Sequence, residues 1–100
     1  MNDRLLNFLG LCMRAGYLIH GADTVTKAIR DKKALLILLA EDLSPHSAKD
    51  VTFAAERFGV PVRTLPYPKE ELSFALGRYC GVIAVTDKGF ADKTLTLLTN

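Results

Sequence analysis

The 100-residue sequence contains no tryptophan, two cysteines, two histidines and four prolines, and its seven glycines are scattered singly between other residues. Each scarcity closes off a class of protein. The thiols, Cys12 and Cys80, sit in apolar neighbourhoods with no histidine or second cysteine at metal-ligand spacing, so neither a disulfide framework nor a metal site is expected, and both read as buried and reduced. The histidines, His20 and His46, belong to no arrangement of nucleophile, base and acid, which leaves them ordinary surface or packing roles. No glycine-rich dinucleotide loop and no Gly-Lys-Ser/Thr run is present. An enzyme, and any metal or organic cofactor, are therefore not expected.

Charge of one sign is also missing, because 13 Lys and Arg stand against 11 Asp and Glu for a net +2. That balance tolerates a polyanionic partner without demanding one. The longest apolar run, Ala34 to Ala40, falls far short of the roughly 18 to 20 residues that span a bilayer, and the N-terminus has no signal-peptide pattern. The expectation is a cytoplasmic protein with no membrane partner. No linker-like stretch divides the chain, so one domain over residues 1–100, acting as a monomer, is expected.

What the sequence does have is a steady alternation of helical and strand periodicity. From Asp3 to about Ala15, Leu5, Phe8, Leu9 and Cys12 recur at helical spacing, and Gly16 suits the position just past the helix end. Tyr17 to His20 reads as a short strand, and a second helix follows Gly21 with Ala22, Val25, Ala28 and Ile29 inward and Lys32 and Lys33 at its end. The run Ala34 to Ala40 predicts a central strand covered on both faces. Ser44 caps a third helix with Pro45 at its first position and Val51, Ala54, Ala55 and Phe58 inward; Gly59 ends it. Val60 to Leu65 forms a strand that Pro61 places at a strand start or sheet edge. A fourth helix carries Glu70 and Glu71 in its first turn, buries Leu72, Ala75 and Leu76, and stops at Gly77. Gly81 to Val85 is the last strand, Thr86 or Asp87 caps the last helix, and Phe90, Leu95 and Leu98 dock it. This order predicts an α/β fold: a three-layer α/β/α sandwich whose small four-stranded sheet is mixed, mainly parallel, with helices on both faces.

The informative stretch is Gly21 to Lys27. A glycine there lets the backbone turn sharply, so that the N–H groups at the start of the second helix, from Ala22 onward, face outward and attract phosphates. Asp23, Lys27 and Arg30 follow at spacings of four and three, which puts them on one solvent-facing stripe bordered by Thr24. On RNA, Lys27 and Arg30 can neutralise phosphates while Asp23 accepts hydrogen bonds from a guanine edge. On spacing alone a charged helix start and a solvated face fit these residues as well.

Leu9-Gly10-Leu11, Arg14-Ala15-Gly16, Leu18, Gly21, Val25, Lys27-Ala28-Ile29 and Leu38-Leu39-Ala40-Glu41-Asp42, with Val60-Pro61-Val62 and Gly81 to Asp87 later, resemble one known family over nearly the whole chain. It is the YlxQ-type bacterial branch of the kink-turn-binding superfamily of ribosomal proteins, the L-seven-Ae and L-thirty-e family. The resemblance implies an α/β/α sandwich whose second-helix tip enters the widened major groove of a kink-turn, where tandem sheared G·A pairs expose guanine edges. It also implies that the loop before the last strand covers a flipped-out nucleotide. Strong kink-turn binders carry Gly-x-Asn-Glu-x-x-Lys at the helix start, which matches Gly21, Asp23, Thr24 and Lys27 here, with two departures. Asp23 keeps an acceptor but loses the amide donor and repels phosphate, and Thr24 offers only a short hydroxyl. In the loop Gly77 to Gly81, Tyr79 would stack on an unpaired base and Arg78 would meet phosphate; a tight turn with a core-facing tyrosine is the alternative. Arg14, near the second-helix start in this family, would enlarge the basic surface, or else serve as a helix C-terminal cation. The expected RNA-contacting set is thus Arg14, Gly21, Ala22, Asp23, Thr24, Lys27, Arg30, Arg78 and Tyr79. The expected function is recognition of a kink-turn or similar bent internal loop in structured RNA, ribosomal RNA included. A protein-interaction module on the same fold is the alternative, and it requires an exposed apolar patch.

Overall fold

In the computed structural model, which describes residues 3–99, the apolar run after Ala34 becomes strand β2, Leu36–Leu39, with all four residues buried. In chain order the elements are α1 (Arg4–Arg14), β1 (Leu18–His20), α2 (Ala22–Arg30), β2, α3 (Pro45–Arg57), β3 (Val62–Thr64), α4 (Lys69–Leu76), β4 (Val82–Val85) and α5 (Lys88–Thr99). Side chains alternate across a strand, so β2 and β4 each feed two apolar layers. Leu36, Leu38, Ile83 and Val85 meet Leu9 and Cys12 of α1, Leu72 and Leu76 of α4 and Ala91 of α5. On the other face Ile37, Leu39, Val82 and Ala84 meet Val25 and Ile29 of α2 and Val51 and Ala55 of α3. Burying each such Val, Leu or Ile contributes about 1.5–3 kcal/mol, which is why the sheet holds both helix layers.

The strand order is β1-β4-β2-β3. The sheet is mixed, as expected, but its pairings are not mainly parallel. Only β2 and β3 pair parallel, whereas β4 runs antiparallel to both β1 and β2. Strands β1, β2 and β3 do share one direction; β4 is reversed and lies between two of them. The reversal follows from the loop after α4. Gly77 adopts a left-handed conformation, Ser73 Oγ accepts from the Cys80 N–H at 2.9 Å and donates to the Cys80 carbonyl at 3.2 Å, and the chain doubles back. It re-enters the sheet where β2 leaves it, with the Ala40 N–H donating to the Gly81 carbonyl at 2.9 Å. A strand buried on both faces has the same hydrophobic pattern in either ladder, so the sequence pattern does not report direction.

Helix ends follow the predicted chemistry in most places. Ser44 accepts from the Ser47 N–H at 3.3 Å, and Asp87 rather than Thr86 caps α5 by accepting from the Phe90 N–H at 3.0 Å. Asp42 caps at a distance in sequence, accepting from the Lys69 N–H of α4 at 2.8 Å. Phe90 fixes α5 through ring contacts with Phe8 at 5.4 Å and Tyr17 at 5.2 Å. Of the residues assigned to buried stripes, Ala22 and Phe58 are exposed, and Ala54 and Ala75 are half-buried. Cys12 and Cys80 are buried free thiols, and burial pushes Cys12 up to about 11, which keeps it protonated and unreactive near neutrality.

The end of α2 is unusual. The Lys33 N–H reaches back to the Ala28 carbonyl at 2.9 Å and the Lys32 N–H to the Ile29 carbonyl at 3.1 Å, a double closure that needs a left-handed residue between. Lysine fills that position, with φ of 61°. Lys32→Gly removes the side-chain strain while leaving the hydrogen bonds in place, and is expected to stabilise the fold by about 0.5–1 kcal/mol, read as a higher urea midpoint at unchanged m-value.

Candidate nucleic-acid interface

The tip of α2 is built by one backbone turn. The Gly21 N–H donates to the Val82 carbonyl at 3.0 Å, adding a last rung beyond the β1–β4 ladder. The chain then turns at φ 98° and ψ 137°, a combination that only glycine adopts without strain, and the Gly21 carbonyl accepts the first helical bond from the Val25 N–H at 2.9 Å. Because the cap residue is glycine, no side chain covers the helix start. Among the described residues no acceptor serves the N–H groups of Ala22, Asp23 or Thr24. All three residues are exposed. The core contact of α2 begins one turn later, at Val25, because the first turn stands past that last rung, and this is why Ala22 faces solvent.

Asp23, Lys27 and Arg30 are exposed on the outer face of α2, as their spacing predicted. Lys27 is not idle: its Nζ lies 2.8 Å from Asp31 Oδ2. That hydrogen bond first, then the charges of Lys27, Lys33 and Arg30, hold the Asp31 carboxyl below its ordinary range. The two side chains are 72% and 42% exposed, so water and salt screen the pair and a phosphate can displace it.

The loop Gly77 to Gly81 lies beside this tip, since it leads directly into Val82, the residue that accepts from Gly21. Cys80 is buried and anchors the loop, while Arg78 is exposed and Tyr79 is 78% exposed. The core-facing alternative for Tyr79 is thereby overturned: the ring stands in solvent. The loop is seated tightly at Gly81, where a Cβ would lie 3.0 Å from the Lys69 stem and 3.1 Å from Leu43 Cδ1.

Arg14 does not join the group. Helix α1 packs with α4 and α5, across the sheet from α2. The Arg14 guanidinium lies over Gly10, in clefts shared with Glu71 and Phe74 on one side and Lys93 on the other. Gly21, Ala22, Asp23, Thr24, Lys27 and Arg30 come together on α2, with Arg78 and Tyr79 adjacent.

The sequence reading passed over a groove between α2 and α3, of about 640 Å³, with Arg30 at its edge and Lys49, Phe53, Arg57 and Phe58 among its walls. Phe53 is 62% exposed. Its signal was available, because it falls outside the Val51, Ala54, Ala55 stripe and so puts an aromatic ring on the polar side of α3. Phe74, 91% exposed on α4, was passed over as well. Among the described residues no group of His, Cys, Asp and Glu can hold a metal ion, and no helix is long and apolar enough to cross a membrane.

Comparison with known proteins gives a consistent set of likenesses. Residues 3–95 match the ribosomal protein L7Ae/L30e/S12e/Gadd45 family. The RNA-binding protein YlxQ of Bacillus subtilis (strain 168) is 44% identical over 95 residues, covering 90% of each chain. The protein of the same name from Enterococcus faecium is 34% identical over 96% of this chain and 92% of its own. A solved structure of a Bacillus halodurans protein of unknown function superposes with a TM-score of 0.92 at 29% identity, covering 99% of this chain and 100% of that one.

Any side chain at position 21 is strained at that φ whatever space surrounds it. Gly21→Ala is therefore expected to cost about 1–3 kcal/mol in urea denaturation, and to speed amide exchange at the Gly21–Val82 rung as the tip swings to a permitted conformation.

Proposed function

The chain belongs to the ribosomal protein L7Ae/L30e/S12e/Gadd45 family, and from that premise we propose that it binds RNA, recognising a kink-turn or similar bent internal loop through the tip of α2. The reading is of a monomeric, cytoplasmic, non-enzymatic protein whose partner is structured RNA, ribosomal RNA included. The observation that carries it is the uncapped first turn of α2, exposed at one end of the sheet, with cations on the same face and an exposed tyrosine beside it. The RNA-binding name shared by the two bacterial relatives supports it.

Each group has a distinct task in this reading. The outward N–H groups of Ala22, Asp23 and Thr24 donate to phosphate or base oxygens without losing any internal partner. Lys27 leaves Asp31 and, with Arg30, neutralises backbone phosphates, which positions the RNA without reading it. The Asp23 carboxylate accepts from the N–H groups of an exposed guanine edge, which a regular duplex buries and a kinked one presents. Tyr79 gives an unpaired nucleotide a flat apolar face, and Arg78 meets its phosphate. Arg14, held in the other helix layer, is assigned to its α1 and α4 neighbours rather than to the RNA.

Two measurements test this. In filter binding, a kinked duplex with tandem G·A pairs is expected to bind at least tenfold more tightly than an unkinked control; equal affinities would sink specific recognition. Lys27→Ala is expected to weaken binding and to make the slope of log K against log salt shallower by about 0.7–0.9, the signature of one lost phosphate contact. Asp23→Asn restores an amide donor and removes a negative charge, so the same titration should show tighter binding to the kinked duplex, with little change in urea stability because the residue is exposed.

A further inference from the structure

The α2–α3 groove lies outside the RNA contacts just assigned, yet Arg30 belongs to both: it is on the outer stripe with Lys27 and in the groove with Phe53. We infer that this groove is a second nucleic-acid subsite, a stacking platform for the unpaired nucleotides that flank the bent element held at the α2 tip. The inference rests on the RNA reading above and extends it.

Three observations converge on that occupant. First, two aromatic rings are exposed here, Phe53 at 62% on the polar side of α3 and Phe58 at 41% at its C-cap, and a ring on the polar side of a helix contributes little to the core. Second, cations interleave with the rings: Arg30, Lys49 and Arg57 line the same groove. Flat apolar faces give bases a sequence-tolerant stacking surface, and cations beside them take the phosphates, which is the pairing that single-stranded nucleic acid requires. The carboxylates present, Asp50 and Glu56, are outnumbered, and Asp50 Oδ2 is turned to His46 Nε2 at 3.4 Å. Third, the groove is continuous with the tip. Arg30 lies seven positions after Asp23 on α2, a rise of about 10 Å, which about three stacked nucleotides span. A strand leaving the bent element can therefore pass Lys27 and Arg30 and lay its bases on Phe53.

The test uses the full chain and fluorescence anisotropy with the kinked duplex in three forms: blunt, extended at either strand end by four unpaired adenosines, and extended by four abasic residues. The adenosine extension on one strand is expected to tighten binding roughly 5- to 100-fold over the blunt form, and the abasic one, which keeps only the phosphates, far less. Phe53→Ala should abolish that gain and leave the blunt affinity unchanged, whereas Phe53→Trp should keep it. Since Phe53 is mostly exposed, both variants should melt with the wild type. If neither extension helps while the blunt duplex is bound, or if the gain survives Phe53→Ala, the subsite is wrong and the groove belongs to another occupant, such as a protein helix. If the blunt duplex is not bound at all, the reading of the α2 tip fails separately. Binding of free oligoadenylate that Phe53→Ala removes would then still support the groove, and its absence would overturn it.

Discussion

Burial of β2 and β4 on both faces is the constraint from which the rest of this molecule follows. Eight strand residues, four in each, are withdrawn from water, and a sheet four strands wide can achieve this only if helices cover it on both sides. The five helices divide accordingly, α1, α4 and α5 on one face and α2 and α3 on the other. Once that division is made, α2 and the loop that precedes β4 must meet at one end of the sheet, since β1 leads into α2 where the antiparallel β4 begins. The candidate interface is thus a by-product of closing the core: two segments, far apart in sequence, are delivered to one edge by strands that hydrogen-bond to each other.

The same geometry explains why the tip of α2 is bare. A helix beginning immediately after a strand needs a residue that can leave the ladder and start the helix within one position, and Gly21 does this at a φ of 98°. A serine or aspartate there would supply a side-chain cap for the first N–H groups, but it would also be strained and would occupy the donors. Glycine solves the backbone problem and leaves the donors outward. Ser44, Asp42 and Asp87 close the starts of α3, α4 and α5 with a side-chain oxygen. Helix α1 also begins without a side-chain cap, so what sets α2 apart is the combination of an open start, the glycine turn at φ 98° and the exposed cations on its outer face.

How much of this could be read beforehand depends on which physical quantity each feature records. Element order was legible because 3.6- and 2-residue periodicities are local, and the ends at Gly16, Gly59 and Gly77 were legible because left-handed closure selects glycine. The closure at Lys32 was not, since lysine carries no such signal and the strained conformation is tolerated by the hydrogen bonds around it. Strand direction was hidden for a related reason: Val82 to Val85 looks the same paired either way, and the decision was made by Ser73 and Cys80, whose hydrogen bonds link residues seven apart in sequence. Within the site, the α2 stripe was legible from spacing, while the separation of Arg14 from it was not, because nothing in the local pattern says which layer a helix joins. Tyr79 illustrates the remaining limit, since an aromatic next to a buried Cys80 can face either way until the loop is closed.

The modest charge of the chain bears on how such an interface can select its target. Lys27, Arg30 and Arg78 are the cations near the tip, and Asp23 stands among them with the opposite sign. Three phosphate contacts correspond to a salt slope of about −2.7, well below the 6–10 contacts of proteins that hold nucleic acid chiefly by counterion release. Binding of that electrostatic weight is weak on a regular duplex, and a carboxylate in the middle weakens it further. The same carboxylate becomes favourable only where a base edge offers it N–H donors, so its cost on the wrong RNA and its gain on the right one act in the same direction. On the reading proposed for the α2 tip, an interface short of cations is suited to discrimination: little affinity would come from charge alone, and most would come from a shape that presents guanine edges, an unpaired base for Tyr79, and a phosphate that draws Lys27 from Asp31.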